Sequence, residues 1–271
     1  MLFTRSLSRC KRLVAAAALT GCAFVFSASV RAEQIVVSNY GTSPNGMPYA
    51  VALEKGFFKE FGVNVQEIET DLATRQGVDQ LLSAVAGRPV HVLVANAGQG
   101  HGGPFLEQSP QGWMHVIDTN VTGTLLLMQT VLKEMVDRGE GRVLVTGSIA
   151  GHMAGAFNAV YNGTKAFIDS FSAAINEEIK GSGVTVTCLK PGATKTEFFA
   201  RAGMEDTKVG QARKDDPADV ARTGWEAMKE GEATVIHGLK NKMQVAAASV
   251  MPDATTAKLH RAEAEPGSGS E

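Results

Sequence analysis

The stretch RVLVTGSIAGHMAGAFNAVYNGTKAFIDSFSAAINEEIKGSGVTVTCLKPG, residues 142–192, decides the fold of this chain. It starts with an apolar run at 142–148, continues with apolar residues at helical spacing over 158–180, and ends with a β-branched run at 184–189. A strand, a helix and a second strand in this order form a parallel β-α-β unit, and such units connect through a right-handed crossover. The stretch therefore predicts a parallel sheet that is covered by helices.

The same alternation of strand and helix extends outward from this unit. Further strands are predicted at 63–72, 90–98 and 233–238, and further helices at 74–87, 109–138 and 216–231. Ser109 followed by Pro110 is typical of the start of a helix, and Gly139 is typical of its end. Repeated alternation of this kind predicts an α/β fold with a doubly wound, Rossmann-like parallel sheet.

Composition and charge exclude several classes of protein. The chain has 271 residues, of which 44% are hydrophobic, and a formal net charge of −2, which suits one large or two modest globular domains. No basic surface suggests nucleic acid as a partner. The six histidines have no metal-ligand spacing, and Cys188, within a β-branched run, is expected to be a buried thiol. We predict no metal site.

The first 32 residues differ from the rest of the chain. Four basic residues within 5–12 precede the apolar run LVAAAALTGCAFVFSASV (13–30), and the small-residue sequence VRA ends at Ala32. This order predicts a secretory signal peptide over 1–32 that is cleaved after Ala32. Two alternatives are lipidation at Cys22, because LTGC resembles a lipoprotein box, and an uncleaved membrane anchor. The protein is expected to be exported, periplasmic or membrane-associated, and cytoplasmic if the signal is not used.

Polar and glycine-containing segments follow the predicted strands at the point where each strand ends. These segments are Asp71, Asn96–Gly98, Ser148 and Pro191–Gly192. Ligands of parallel α/β sheets bind beyond the carboxyl ends of the strands. The sequence therefore predicts that these segments meet at one edge of the sheet.

Tyr161 and Lys165 form the candidate proton-transfer pair, because residues at i and i+4 share one face of a helix. An isolated tyrosine has a pKa of about 10. A nearby ammonium is expected to lower that pKa and to make the phenol a workable general acid/base. Ser148 is placed to hold a carbonyl or alcohol oxygen. Asn120, a polar insertion in a long helix, is expected to bend the helix and to hold a water that extends the proton path from Lys165.

With these motifs in view, residues 68–267 resemble the short-chain dehydrogenase/reductase family. The matching pieces are DL (71–72), NAG (96–98), Asn120, Ser148, YNGTK (161–165) and PGATKT (191–196). The resemblance implies a domain at 67–262, and the polar, glycine- and serine-rich composition of the residues after it predicts a disordered tail at 263–271. It also implies NAD or NADP as the cofactor, and hydride transfer that interconverts a carbonyl and a secondary alcohol.

The resemblance assigns a role to each site residue. Tyr161 would be the acid/base, Lys165 would lower its pKa and bind the nicotinamide ribose, Ser148 would orient the substrate, and Asn120 would complete the relay. The cofactor-binding residues would be Asp71 and Leu72 at the adenine, Asn96, Ala97 and Gly98 at the adenosine ribose, and Pro191, Gly192, Thr194 and Thr196, with either threonine near the nicotinamide amide.

The resemblance also implies a substrate class and an oligomer surface. Residues 197–204 (EFFARAGM) would form a mobile lid, whose apolar face favours a small-molecule carbonyl or alcohol substrate with an apolar part. The helices at 109–138 and 158–180 would be the surfaces of a homo-oligomer.

The N-terminal part departs from the family, because the glycine-rich turn TGxxxGxG that carries the pyrophosphate is absent. Residues 33–66 instead resemble the first strand and helix of a periplasmic nitrate/sulfonate-type solute-binding protein. The sequence is therefore consistent with a fusion in which the family's N-terminal β-α-β is truncated or replaced. Three functions remain: an oxidoreductase, a non-catalytic scaffold or fusion product with a broken dinucleotide site, and a solute-binding fragment.

Overall fold

The structure is a computed structural model that describes residues 33–39, 60 and 63–270. The predicted signal peptide, the alternative lipidation at Cys22 and most of the solute-binding-like segment lie outside these residues. Within them, no helix is long and apolar enough to cross a membrane.

The described elements alternate between strand and helix, as the sequence predicts. The strands are β1 (Glu33–Asn39), β2 (Val63–Glu69), β3 (Val92–Ala95), β4 (Gly141–Thr146), β5 (Val184–Lys190) and β6 (Thr234–Ile236). The helices are α1 (Arg75–Val85), α2 (Pro110–Ile117), α3 (Thr124–Arg138), α4 (Ala159–Glu178), α5 (Phe198–Arg201), α6 (Lys208–Gln211), α7 (Pro217–Glu230), α8 (Leu239–Ala248) and α9 (Asp253–Ala264).

Strands β3 to β6 form a four-stranded parallel sheet in the order β3-β4-β5-β6. At its centre Val143 of β4 pairs with Val186 of β5, and neither side chain is exposed to solvent. Helices α1, α3 and α4 cover one face, where Met128, Val131 and Ile168 join the main hydrophobic core. Helix α7 packs on the opposite face. The α/β fold with a parallel sheet is thus confirmed.

The predicted capping residues set the helix ends. The Ser109 hydroxyl accepts a hydrogen bond from the Gly112 N–H, so α2 starts at Pro110. Helix α3 ends at Gly139, which adopts φ 80°, a left-handed conformation that glycine reaches without a steric penalty. Asp216 caps α7 through the Ala218 N–H at 2.8 Å.

A π-helical turn, Asp118–Gly123, separates α2 from α3. The sequence predicts an irregularity here, because Asn120 is polar inside an apolar helix. The turn passes directly over the chain that follows β2, so that a Cβ at Gly123 would lie 1.9 Å from the Leu72 carbonyl oxygen. Only glycine fits this approach. π-Helical turns are often found at functional sites.

Strands β1 and β2 form a second, two-stranded parallel sheet, in which Glu33 pairs with Val63. Among the described residues, no strand hydrogen-bonds to both β1 and β3, so the two sheets are separate. The valines of β3 that face away from the main core remain open, with Val92 38% and Val94 49% exposed. The parallel architecture is therefore interrupted on the N-terminal side of β3.

The C-terminal residues correct the expectation of a disordered tail at 263–271. Ala264, at the end of α9, is buried, and the Gly267 N–H donates to the Asp206 carboxylate at 2.7 Å. Gly269 also donates a backbone hydrogen bond to the Asp206 carbonyl. A polar, glycine-rich composition predicts disorder only when no partner supplies hydrogen bonds, and here the loop before α6 supplies them.

Candidate active site

Ser148, Tyr161 and Lys165 line one cavity of about 2670 Å³. Ser148 follows β4 and opens a short 3₁₀ turn at 149–152, while the other two residues lie one turn apart on α4. The cavity exceeds the 300 to 1,000 Å³ that is usual for a ligand pocket, because it extends from this corner into the space between the two sheets, where Ile35 and Val94 line it.

Tyr161 is partly buried in the wall of this cavity, and this position changes its expected acidity. Burial raises the pKa of the phenol to about 12, although a hydrogen bond with the Ser148 hydroxyl acts in the opposite direction. The sequence predicts the reverse shift, a pKa lowered by Lys165. The difference arises because desolvation of the phenolate outweighs the interactions that would stabilise it. The phenol is therefore protonated at neutral pH.

Lys165 is also buried, and its ammonium is held on the backbone. The Nζ atom donates to the Thr146 carbonyl at 2.7 Å and lies 5.8 Å from the centroid of the Tyr161 ring. Burial lowers the pKa of Lys165 to about 8, and the carboxylate of Asp169 opposes this effect. The lysine is thus close to the phenol, as the i, i+4 spacing predicts.

Asn120 connects the π-helical turn to the loop after β3. Its amide Nδ2 donates to the Gln99 carbonyl and to the Thr164 hydroxyl, each at 2.9 Å, and its Oδ1 accepts from the Gln99 N–H. A Cβ at Gly98 would lie 3.3 Å from Lys165 Nζ and 3.4 Å from Asn120 Oδ1. The structure therefore brings Asn120 and Lys165 to the same small space beside Gly98.

Most of the predicted cofactor-binding residues line the same cavity. These are Leu72, Asn96, Ala97, Gly98, Pro191, Gly192, Thr194 and Thr196. Asp71 does not: it lines a separate depression of about 380 Å³, and its carboxylate accepts from the Ala73 N–H at 2.8 Å. Asp71 thus stabilises the turn before α1 in this structure.

The described residues fit one half of a dinucleotide. The bare glycine at 98, beside an ammonium and an amide, leaves room for a ribose, and the loop that starts at Pro191 borders the same space. A pyrophosphate requires backbone N–H groups at the start of a helix, and the sequence contains no glycine-rich turn of the usual form. Across residues 33–39, 60 and 63–270, no group of three His, Cys, Asp or Glu residues is arranged to hold a metal ion.

The segment predicted as a lid packs directly on the phenol. The ring of Phe198, in α5, lies 5.0 Å from that of Tyr161, centroid to centroid. Phe199, Ala202 and Met204 are buried in a small core with Ala264. The segment therefore places an apolar surface next to Tyr161. The expected substrate with an apolar part and the mobility of this segment both stay predictions.

Sequence reasoning missed a group of buried residues behind the site. Asp169 lies one helical turn beyond Lys165, and Lys190 ends β5, with their charged atoms 3.2 Å apart. His152 and Cys188 complete this group, which comes from three separate segments. The repeated spacing of Tyr161, Lys165 and Asp169 was the one sequence signal that pointed to it.

A parallel α/β fold with a serine, a tyrosine and a lysine at one strand edge defines a class of nucleotide-dependent oxidoreductases. Comparison of the sequence with protein families identifies the particular family: residues 24–206 match the short chain dehydrogenase family. The chain belongs to this family. The matched region starts before β1, so it includes the segment that resembles a solute-binding protein. The comparisons do not show that fragment or the signal peptide, and both remain predictions.

Individual relatives agree with this assignment. The chain is 33% identical over 175 residues to the NADP-dependent 3-hydroxy acid dehydrogenase YdfG of Salmonella typhi, covering 61% of this chain and 71% of that protein. It is 38% identical over 146 residues to an uncharacterized oxidoreductase of Myxococcus xanthus, covering 51% of this chain and 56% of the relative.

Solved structures share the fold. A short-chain dehydrogenase from Sphingobium yanoikuyae in complex with NADPH superposes with a TM-score of 0.66 at 22% identity, over 82% of this chain and 87% of that one. A 7β-hydroxysteroid dehydrogenase gives a TM-score of 0.69 at 18% identity, over 84% and 86% of the two chains. At these identities the likeness establishes the fold alone.

Proposed function

We propose that this protein is an NADP-dependent reductase that converts a carbonyl to a secondary alcohol, with Tyr161 as the general acid. A nicotinamide dinucleotide, when bound, supplies the hydride to the carbonyl carbon. Tyr161 then gives its phenol proton to the carbonyl oxygen, and the Ser148 hydroxyl holds that oxygen against the phenol. NADP is preferred over NAD because the curated relative is NADP-dependent.

One observation carries this proposal: the Tyr161 phenol lines the cavity together with the Ser148 hydroxyl and with Lys165, which lies one helical turn further on. A phenol that stays protonated at neutral pH is the form that donates a proton. Carbonyl reduction starts from this protonated phenol, whereas alcohol oxidation would start from the phenolate.

Lys165 and Asn120 hold the surroundings of the Tyr161 phenol in place. The Lys165 ammonium is anchored on Thr146 and faces the space beside Gly98, where it would bind ribose hydroxyls. Asn120 fixes the loop at Gln99 through two hydrogen bonds and thereby holds that space open. Both residues position groups around the reacting atoms.

The substrate is expected to have an apolar part next to the carbonyl. Phe198, Met153 and Met251 line the cavity together with Tyr161. The curated relative YdfG is named for 3-hydroxy acids, so short 3-oxo acids and their apolar esters are the first compounds to assay.

Replacement of Tyr161 by Phe tests the proposal, because it removes the proton and keeps the ring that packs on Phe198. Loss of a general acid costs typically 10²- to 10⁴-fold in rate. We expect kcat to fall within this range while NADPH binding is unchanged. Ser83→Ala, which removes an exposed hydroxyl outside the cavity, is the matched control.

Two outcomes would refute this assignment. If Tyr161→Phe retains the wild-type kcat, Tyr161 is not the acid. If the folded wild-type protein binds NADPH but reduces none of a broad panel of carbonyl compounds, the non-catalytic scaffold is the better description.

We also propose a homo-oligomer that forms through the helices at 109–138 and 158–180. Met114 is 48% and Phe167 43% exposed on these helices, although both are apolar. Light scattering of the purified chain measures its mass, and Phe167→Lys is expected to reduce it to that of a monomer.

Export is proposed from the N-terminal sequence, because a basic, an apolar and a small-residue region follow one another there. Fractionation of cells that express the full chain tests the destination. Uncleaved protein in the cytosol alone would show that the signal is not used.

A further inference from the structure

Asp169 is a buried carboxylate to which the proposed mechanism gives no role. It lies on α4, one turn after Lys165, with 8% of its surface exposed. A charged group at such a position is costly unless it is paired. Its partners show what it does.

The Asp169 carboxylate joins two further elements to α4. Its Oδ2 lies 3.2 Å from Lys190 Nζ, at the end of β5, and 3.6 Å from His152 Nε2, in the turn after Ser148. Its Oδ1 accepts from the Cys188 thiol at 3.4 Å. One carboxylate, on the helix that carries Tyr161, therefore contacts the turn that follows Ser148 and the end of the strand that leads to Pro191.

The backbone on both sides of Ser148 is shaped to receive this carboxylate. A Cβ at Gly147 would lie 2.2 Å from Asp169 Oδ1, and a Cβ at Gly151 would lie 2.9 Å from Oδ2. Any larger residue at either position would push the carboxylate away. Loop 147–151 thus rests on Asp169, and backbone hydrogen bonds from Gly147 to Leu189 and from Ile149 to Pro191 tie it to β5.

The negative charge of the same carboxylate favours the protonated form of Lys165 and opposes the lowering of its pKa by burial. Lys165 Nζ is held on the carbonyl of Thr146, directly before the glycine that contacts Asp169. Asp169 on the same helix and Cys188 on β5 act electrostatically on Lys165, and its Nζ lies 5.8 Å from the centroid of the Tyr161 ring. Lys190 on β5 and His152 on the 3₁₀ turn contact Asp169. Among the charged groups, Asp169 is the one that favours the protonated lysine most strongly.

We propose that Asp169 and Lys190 are positioning residues for the reaction: the shared carboxylate holds the Ser148 loop and the Lys165 ammonium in place behind Tyr161. Lys190 balances the charge of the carboxylate, and His152 accepts from the ammonium of Lys190 at 3.2 Å. Burial and the neighbouring Lys190 lower the pKa of His152, so its ring is neutral and suited to this contact. This inference rests on the proposed function only in its effect on rate.

The direct test measures Lys165 without any turnover. Lysine side chains labelled with ¹³C at Cε report the ionisation of each amine by NMR, and the Lys165→Met spectrum identifies the Lys165 signal. In the wild type its midpoint is expected near pH 8. Asp169→Asn should move the midpoint to lower pH by about one pH unit, because the favourable negative charge is lost. Lys190→Met should move it to higher pH, because the carboxylate is then unbalanced.

Opposite shifts distinguish this role from a merely structural one, since general loosening of the site would move both variants in the same direction. The double variant Asp169→Asn/Lys190→Met keeps the test decisive if Lys190→Met fails to fold, and its midpoint should lie above that of Asp169→Asn. Glu177→Gln at the end of the same helix, which breaks an exposed pair with Lys180 just beyond it, is the matched control. An unchanged Lys165 midpoint in folded Asp169→Asn would overturn the proposal.

The effect on rate gives a second readout. Misplacement of a catalytic group by about 1 Å can cost about 100-fold, so Asp169→Asn is expected to lower kcat by roughly 10- to 100-fold, with little change in the KM for NADPH. The loss should largely disappear when Ser148 is already replaced by Ala, because Asp169 acts through that loop. If the wild type shows no turnover, the proposed function fails, while the NMR titration still decides the role of Asp169.

Discussion

The two sheets of this protein differ in how completely they are built. Strands β4 and β5 pair on both edges and are buried along most of their length. Within the described part of the chain, β1 and β2 pair only with each other, and both are half exposed. Ser148, Tyr161, Lys165 and Asp169 all belong to the four-stranded side. The residues proposed for proton transfer are therefore held by the four-stranded sheet. The pyrophosphate of a dinucleotide would have to be bound on the side of the two-stranded sheet.

This contrast predicts a large difference in stability between the two sheets. Met128→Ala removes a side chain with no exposed surface from the main core and should cost about 2 to 5 kcal/mol of unfolding free energy. Ile35→Ala in β1, where Ile35 is 43% exposed, should cost about 0.5 to 1 kcal/mol. Denaturant unfolding measures both. Equal losses would show that β1 is as firmly packed as the main core.

The second prediction concerns NADPH, for which the four-stranded side offers residues that fit one end only. Each hydrogen bond lost to a charged phosphate costs roughly 1.5 to 3 kcal/mol. Two such losses would weaken binding more than about 100-fold relative to complete members of the family. Fluorescence titration with NADPH and NADH measures the affinity. A dissociation constant in the low micromolar range would show that residues before β2 supply a phosphate site.

A third prediction concerns how stability depends on pH, because Lys165 is buried beside the four-stranded sheet. Its pKa is lowered from 10.5 to about 8, so the folded state disfavours the ammonium. Below pH 8 Lys165 is protonated in both the folded and the unfolded state, and the full free-energy cost of burying its ammonium lowers the stability of the fold. Between pH 8 and about 10.5 the unfolded state binds more protons, so stability should rise with pH by about 3 to 4 kcal/mol.

Lys165→Met removes this titration, and the rise between pH 8 and 10.5 should disappear. Lys133→Met, an exposed change on α3, should keep the wild-type slope. Unfolding in denaturant at several pH values provides the data. A wild-type curve that is flat or falls over this range would contradict the lowered pKa.

The smallest effect is expected for Phe198, the apolar side chain that packs on the Tyr161 phenol. Phe198 contributes an aromatic contact with Tyr161, and such pairs are worth about 0.5 to 1.5 kcal/mol. Phe198→Ala should raise the KM for an apolar carbonyl substrate by roughly 2- to 10-fold, with kcat less affected. Phe105→Ala changes an exposed aromatic pair outside the cavity and serves as the control. A larger loss in kcat than in KM would assign Phe198 to positioning of the phenol.

Local signals in the sequence were sufficient for the main sheet. Ser109, Gly139 and Asp216 each mark a helix end by their own hydrogen bonds or backbone angle, so the boundaries of α2, α3 and α7 follow from short stretches. Helices α8 and α9 were not predicted, because their weak apolar pattern gives no clear face. The tail after α9 was wrongly expected to be disordered, since its partner Asp206 lies far away in the chain.

The site residues divide in the same way: some positions follow from short stretches of sequence, and others depend on contacts between distant segments. The neighbouring positions of Tyr161 and Lys165 follow from helical periodicity, and the placement of Ser148 follows from the rule on strand ends. The separation of Asp71 from the main cavity did not follow, because it depends on the turn that Asp71 itself caps.

The sequence by itself determined the parallel α/β fold, the convergence of the strand ends and the spacing of the tyrosine and the lysine, because each depends on periodicity within one segment. Only the tertiary structure decided the acidity of the site. The raised pKa of Tyr161 and the lowered pKa of Lys165 result from burial, and the carboxylate behind them is balanced by Lys190, which is distant in sequence. Burial depends on which segments pack together, and no single stretch of sequence contains that information.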